Sequence, residues 1–199
     1  NKITIWNSVP SIIDTLSRLR KIKSENLGTI RLFNFCGEQL YRSQVTELSE
    51  AVPKSIIQNT YGPTEATVAC KAIALDKKMI ETYDSNVIEL GYDLPNIQTF
   101  IEKNQLLISG IQVAEGYWSN KTLTRKYFKD KIVNGFKKKV YYTGDYVKSN
   151  KKNQIFFKSR EDKQIKIRGH RVELEEISIA LKKIGFSEST VIFSKKKLE

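Results

Sequence analysis

The alternation of helix-period and strand-like runs in the first seventy residues constrains this chain most. Ile12, Ile13, Leu16, Leu19 and Ile22 recur at helical spacing, the mark of one buried helix face. Ser8 reads as the cap of that helix, with Pro10 in its first turn. After Gly28, the run Thr29 to Phe35 is rich in strand formers and predicts a core strand. Residues from about Arg42 to Val52 return to helical character, Pro53 ends them, and a second buried strand runs from Ile56-Ile57 to near Asn59. Helices alternating with apolar strands predict an α/β layer.

From Val87 the pattern changes. Ile97 to Ile101 and Leu106 to Ile108 flank Lys103-Asn104 as a hairpin would. Tyr141 to Lys148 and Ile155 to Lys158 flank the polar turn 149–153. Short strands with close turns predict a small barrel or sandwich. A third region follows Arg160: a strand at Gln164 to Ile167, a turn at Gly169, an amphipathic helix from Glu173 to Ile184, and a strand at Val191 to Phe193. The expected layout is an α/β layer over about 1–86, a β-barrel-like part over about 87–161, and the start of a small α+β domain at 162–199.

Composition narrows the chemistry. The two cysteines, Cys36 and Cys70, are too few for a disulfide framework and lack metal-ligand spacing, and His170 is the only histidine, so zinc chemistry is not expected. A reducing, cytoplasmic compartment is the natural expectation. No run approaches the roughly 18 apolar residues of a membrane span. The chain starts at Asn1 and its only methionine is Met79, so it is expected to be a segment of a longer product. The net charge of +12 would suit nucleic acid or an anionic membrane. However, Lys137-Lys138-Lys139, Lys151-Lys152 and Lys195-Lys196-Lys197 lie in loop-like or terminal stretches, which reads as solvated surface. The aromatic-basic interleaving of a single-strand binder is absent. Neither nucleic-acid binding nor membrane insertion is expected.

The sharpest local signal is Asn59-Thr60-Tyr61-Gly62-Pro63-Thr64-Glu65. Gly62-Pro63 forces a turn at a strand end, where α/β folds place ligands. Such a turn can present an aromatic face, a hydroxyl and a carboxylate together, a set suited to a base, a phosphate and magnesium. An ordinary turn before a helix capped by Thr64 explains the same residues. Three further motifs follow strands or close the series: Cys36-Gly37-Glu38, Tyr142-Thr143-Gly144-Asp145, and the run from Arg160 to Gly169. With Gly91, Leu107-Ile108-Ser109-Gly110 and Val113-Ala114-Glu115-Gly116-Tyr117 between them, the order and spacing resemble the adenylate-forming superfamily of acyl-CoA ligases, luciferases and nonribosomal-peptide adenylation domains. The likeness covers nearly the whole chain.

Within that superfamily, Phe35-Cys36-Gly37-Glu38, the stretch Asn59 to Ala69 and Val172 to Ile177 most resemble the ligases that load D-alanine onto a carrier protein. Peptide-synthetase adenylation domains usually have glycine at Cys36 and near Glu175. The resemblance implies an ATP-dependent, AMP-forming ligase acting on a small amino acid, with Mg2+ as cofactor and a phosphopantetheinylated carrier protein as partner. It implies that Tyr61 stacks on adenine beside Gly37 and Glu38, with Asn59 and Gly62 in the same nucleotide-binding set. Thr64 meets the α-phosphate and Glu65 helps bind magnesium, the two forming the catalytic pair. Asp145 holds the ribose hydroxyls, Arg160 lies near ribose and phosphate, Cys36 lines the acyl pocket, and Asp162 is the hinge to the C-terminal domain. Bland readings stand beside these: Asp145 closing a turn, Arg160 on a surface carboxylate, Cys36 as a buried apolar residue. Ser159 departs from the family's glycine. The resemblance also places the phosphate-gripping loop before Asn1 and the C-terminal lysine beyond Glu199, so the chain is expected to be inactive by itself. The alternatives are a peptide-synthetase adenylation domain, an acyl-CoA ligase for another acid, or a basic module that binds nucleic acid without catalysis.

Overall fold

A computed structural model describes residues 2–161, 164–167, 170–186 and 191–193. The first sheet has the order β1 (Ile5–Ser8), β2 (Leu32–Cys36), β3 (Ile56–Tyr61), β4 (Lys71–Leu75) and β5 (Tyr92–Asp93). The first three strands run parallel, and β4 and β5 pair antiparallel. Helices α1 (Ser11–Arg18), α2 (Ser24–Leu27), α3 (Arg42–Ala51) and α4 (Lys77–Glu81) are interspersed among these strands. Period-two alternation sends Phe33 and Phe35 of β2 into the core, their rings stacked 6.3 Å apart, with Ile13, Leu48, Ile57 and Leu75. The other face carries an amide ladder: Asn34 donates to Asn7 at 2.9 Å and Gln58 donates to Asn34 at 3.3 Å.

The expected helix start needs correction. Ser8 belongs to β1, where its hydroxyl accepts from the Trp6 indole at 2.8 Å and donates to Val9. The helix opens instead at Ser11, whose amide donates to the Glu38 carboxylate at 3.0 Å. A carboxylate at this end satisfies an orphan N–H and meets the positive pole of the helix. The helix also ends earlier than its apolar spacing suggests. Leu19 is exposed, Arg20 turns the chain at φ 54°, and Ile22 reaches the core from a loop.

The second sheet is antiparallel, in the order β10 (Ile155–Arg160), β9 (Phe136–Ser149), β7 (Gln105–Gly110) and β6 (Ile97–Glu102), with β8 (Phe128–Val133) also on β9. The expected barrel-like part is thus an open antiparallel sheet among the described residues. Its hairpins turn where the polar pairs predict: Lys103 and Asn104 take φ 51° and 65°, the left-handed values of tight hairpin turns. Helix α5 (Lys121–Tyr127) precedes β8. A two-stranded ribbon, β11 (Gln164–Ile167) with β12 (His170–Glu173), and α6 (Leu174–Lys183) follow. Val191–Phe193 forms no strand.

The two sheets are clamped together. Lys71, 4% exposed, donates to Asp93 at 2.7 Å and to Thr99 of β6 at 3.1 Å. Thr99 also donates its amide and hydroxyl to Asp93, each at 2.7 Å. This closes a network across the seam.

Candidate nucleotide-binding site

The seam positions the candidate site. Strand β3 ends at Tyr61, and Gly62 has no room for a side chain: a Cβ there would meet the Val68 carbonyl oxygen at 2.6 Å and the Cys70 sulfur at 2.8 Å. Thr64–Ala66 makes one 3-10 turn with Pro63 as its cap and no side-chain cap bond, so Thr64 does not cap an α-helix. The chain then turns back through Thr67 and Val68 at φ 53° and 69°. A β-branched residue there carries steric strain, held only because its surroundings over-determine it. The surroundings are visible. Cys70 donates its amide to Tyr61 at 2.8 Å, Thr67 donates its hydroxyl to Gln112 at 2.9 Å, and Ala114 donates to the Glu65 carbonyl at 2.8 Å.

The second half of the site is a bulge in β9. Between the partners of Gln105 and Leu107 the strand carries additional residues around Thr143-Gly144-Asp145, and Gly144 takes φ 72°, a conformation open to glycine. Thr143 pins the bulge by donating to Leu106 at 2.6 Å and accepting from the Asp145 amide at 2.9 Å. The bulge brings Asp145, 5% exposed, against both sheets. Its Oδ2 accepts from the Tyr61 hydroxyl at 2.5 Å, and its Oδ1 pairs with Arg160 Nη1 at 2.6 Å. Arg160 Nη2 also reaches the Thr143 carbonyl at 3.4 Å. Burial, then the Asp145 charge, hold the Tyr61 phenol well above its ordinary pKa, so it is a firm donor.

Glu65 forms a second centre. It is 7% exposed, and its Oε1 accepts from the Tyr117 hydroxyl at 2.6 Å. Burial, followed by the Glu65 charge, raises the Tyr141 phenol, which stands against Glu65 and Tyr117. Tyr117 and Tyr141 carried no sequence-based role, although Gly116-Tyr117 stood out as a motif; only the approach of the two sheets reveals the contact.

The remaining residues are distributed around these centres. Thr64 is exposed, and its hydroxyl makes no hydrogen bond among the described residues. Asn59 is 4% exposed and spends its amide on the Glu89 carbonyl at 2.7 Å, inside the fold. Gly37 takes φ 95° just past the end of β2, and the Glu38 carboxylate beside it reaches back to the Ser11 amide at the start of α1. Cys36 is partly buried, its sulfur 3.8 Å from the Val68 carbonyl oxygen. Asp162 lies outside the described residues. Among the described residues no three His, Cys, Asp or Glu side chains cluster as a metal site. No described helix is long and apolar enough to cross a membrane.

Comparison with known proteins identifies the family of the chain. The model of the AMP-binding enzyme family matches residues 1–118, and the chain belongs to that family. It is 35% identical, over 98% of its length, to a D-alanine--D-alanyl carrier protein ligase of Listeria monocytogenes serotype 4a, covering 39% of that protein. A ligase of the same name from Staphylococcus haemolyticus is 36% identical over 96% of this chain, which covers 38% of it. The chain therefore spans about two-fifths of the length of these curated relatives. Its fold matches the Vibrio cholerae adenylation domain AlmE, solved in complex with glycyl-adenosine-5'-phosphate, with a TM-score of 0.80 and 24% identity, covering 92% of this chain and 36% of that one. It also matches IdnL7, with a TM-score of 0.70 and 26% identity, covering 92% and 38%.

Proposed function

We propose that this chain supplies the adenine and ribose half of the site of an AMP-forming ligase that activates a small amino acid, D-alanine, and passes it to a carrier protein. The convergence of Tyr61, Asp145 and Arg160 carries the reading. A ribose diol needs an acceptor for two hydroxyl protons, and a carboxylate held by a guanidinium offers one in fixed orientation. The Tyr61 ring beside it offers a stacking face for adenine. The names of the curated relatives support the choice of amino acid and partner.

In the proposed reaction a carboxylate oxygen of the amino acid attacks the α-phosphorus of ATP, and pyrophosphate leaves in line. The carbonyl carbon of the resulting aminoacyl-AMP is then attacked by a phosphopantetheine sulfur, whose proton is given up as AMP departs. The chain's share is positioning and charge stabilisation. Thr64, with an exposed hydroxyl one residue before Glu65, is assigned to the α-phosphate. Magnesium accompanying ATP takes one or two protein carboxylates and completes its shell with phosphate and water. The buried Glu65 carboxylate, oriented by Tyr117, fits that need, and the ion would neutralise phosphate charge. Gly37, Glu38, Asn59 and Gly62 shape the walls, Cys36 borders the acyl side, and Asp162 is the proposed hinge between residues 1–161 and a following small domain. A cytoplasmic location with neither nucleic-acid binding nor membrane insertion completes the reading.

Amino-acid-dependent ATP–pyrophosphate exchange tests it, on a protein of the relatives' length containing this chain. D-alanine, L-alanine, glycine, serine, an aryl acid and a fatty acid are compared, with residues 1–199 alongside. Strongest exchange with D-alanine and none from residues 1–199 is expected. Preference for another acid would replace the substrate, and silence with every acid would overturn the reaction.

A further inference from the structure

We propose that the β8–β9 hairpin is a peripheral docking element for an anionic lipid surface. The hairpin closes through Asn134-Gly135, at φ 52° and 81°, and places Val133 opposite Phe136 and Ile132 opposite Lys137. Directly paired residues share a face of an antiparallel ribbon. Ile132 and Phe136 therefore stand on opposite faces of the tip, and they are 72% and 71% exposed. Val133 is the last residue of the hairpin to reach the core, where it packs with Leu107 and Val140, so the two apolar side chains stand beyond the packed part of the sheet.

Residues 128–139 carry five lysines against one aspartate. Pairing puts Lys137 and Lys139 on the Ile132 face, and Lys129, Lys131 and Lys138 on the Phe136 face. Lys139 is bridged to Glu115, Lys131 to Glu102, and Lys137 to Asp130 at 2.9 Å. Lys138 has no ion pair among the described residues.

This distribution selects the partner. A flat protein face can cover one side of a ribbon and leaves the other apolar residue in water. A deformable headgroup layer takes the tip edge-on, burying both side chains while lysines on both faces reach phosphates with their stems laid along the apolar atoms. Each lysine near an anionic surface adds about fivefold to partition. The attachment is peripheral and involves no membrane span.

Vesicle co-sedimentation of the whole chain tests the proposal, with phosphatidylcholine vesicles containing or lacking phosphatidylglycerol. Binding should require phosphatidylglycerol and weaken as added salt screens the surface charge. Lys137→Glu with Lys138→Glu should weaken it at least about 25-fold. Ile132→Ser with Phe136→Ser should weaken it about 100-fold or more, with unchanged circular dichroism showing that the fold is intact. Lys151→Glu with Lys152→Glu, the same charge change on the β9–β10 turn, should cost less than about fivefold. No phosphatidylglycerol-dependent binding overturns the proposal, as does equal loss in the Lys151/Lys152 variant, which would make the attraction diffuse. Retention on immobilised polyglutamate, insensitive to Ile132 and Phe136, without vesicle binding, would also overturn it in favour of an acidic protein.

Discussion

The hydroxyl of Tyr61 lies 2.5 Å from Oδ2 of Asp145, joining the end of a strand in one sheet to a bulge in the other across 84 residues of sequence. Because Asp145 also holds Arg160, three strands meet at one carboxylate. On the proposed reading, stacking face and diol acceptor are thereby set at a fixed separation before any nucleotide arrives, the preorganisation that lowers the cost of binding.

Asp145→Ala should destabilise the fold by about 3 kcal/mol, because it breaks a largely buried ion pair in which Arg160 is 15% and Asp145 7% exposed. Tyr61→Phe removes one donor to the carboxylate and should cost about 1–2 kcal/mol. Urea unfolding measures both, and an equal loss in the two variants would contradict the ranking.

The clamp between the sheets predicts a second asymmetry. Lys71 is 4% exposed and Asp93 30%, so Asp93→Ala leaves a buried ammonium with the Thr99 hydroxyl, for a loss of about 3 kcal/mol. In Lys71→Met, Asp93 keeps both Thr99 donors and some water, and the loss should be smaller. The same unfolding measurement decides whether the lysine is the costlier group to strand.

Gly62→Ala should cost about 1–3 kcal/mol through overpacking, since the added methyl would sit 2.6 Å from the Val68 carbonyl oxygen and 2.8 Å from the Cys70 sulfur. Near-ultraviolet circular dichroism should report a displaced Tyr61. An unchanged spectrum and stability would mean that the turn has room to yield.

On the proposed reaction, Tyr117→Phe should slow pyrophosphate exchange about tenfold or more in a protein of the relatives' length, as loss of a partner orienting a metal-binding carboxylate does. The same variant should bind AMP normally, because the lost hydroxyl bonds Glu65, whereas Asp145 is held by the hydroxyl of Tyr61. Weakened AMP binding with unchanged exchange would reverse the assignment.

Alkali should unfold the chain progressively. Burial pushes Cys70 from 9.0 up to about 12 and Tyr83 from 10.0 up to about 12. These groups hold their protons in the fold at pH values where the unfolded chain releases them. Their contribution is thus complete below about pH 9 and declines as pH rises toward 12. Thermal melting between pH 8 and 11 should show the fall, and Cys70→Ala should flatten its slope. An identical slope in the variant would remove Cys70 as a cause.

Much of the architecture is legible in the sequence because its signals are local. The strand-forming run Thr29 to Phe35, the helical character of about Arg42 to Val52 and the polar pair Lys103-Asn104 each report a local preference, and they formed a strand at Leu32–Cys36, a helix at Arg42–Ala51 and a hairpin. Where local signals misled, tertiary contacts had prevailed. Ser8 is a good cap by type, but the indole of Trp6 engages its hydroxyl and Glu38 supplies the oxygen that α1 needs. Leu19 and Ile22 continue the helical period, yet the chain turns at Arg20.

The residue types at the candidate site and their order along the chain were sequence properties, because the proposed base, diol and phosphate would each demand particular side-chain chemistry. Which group holds which was decided by the tertiary structure. The partnership of Tyr61 with Asp145, of Glu65 with Tyr117, and of Lys71 with both Asp93 and Thr99 depends on how two sheets pack across a seam. The left-handed turn at Thr67 and Val68 depends on the same seam, since β-branched residues adopt it only where a neighbouring loop supplies the hydrogen bonds that hold them.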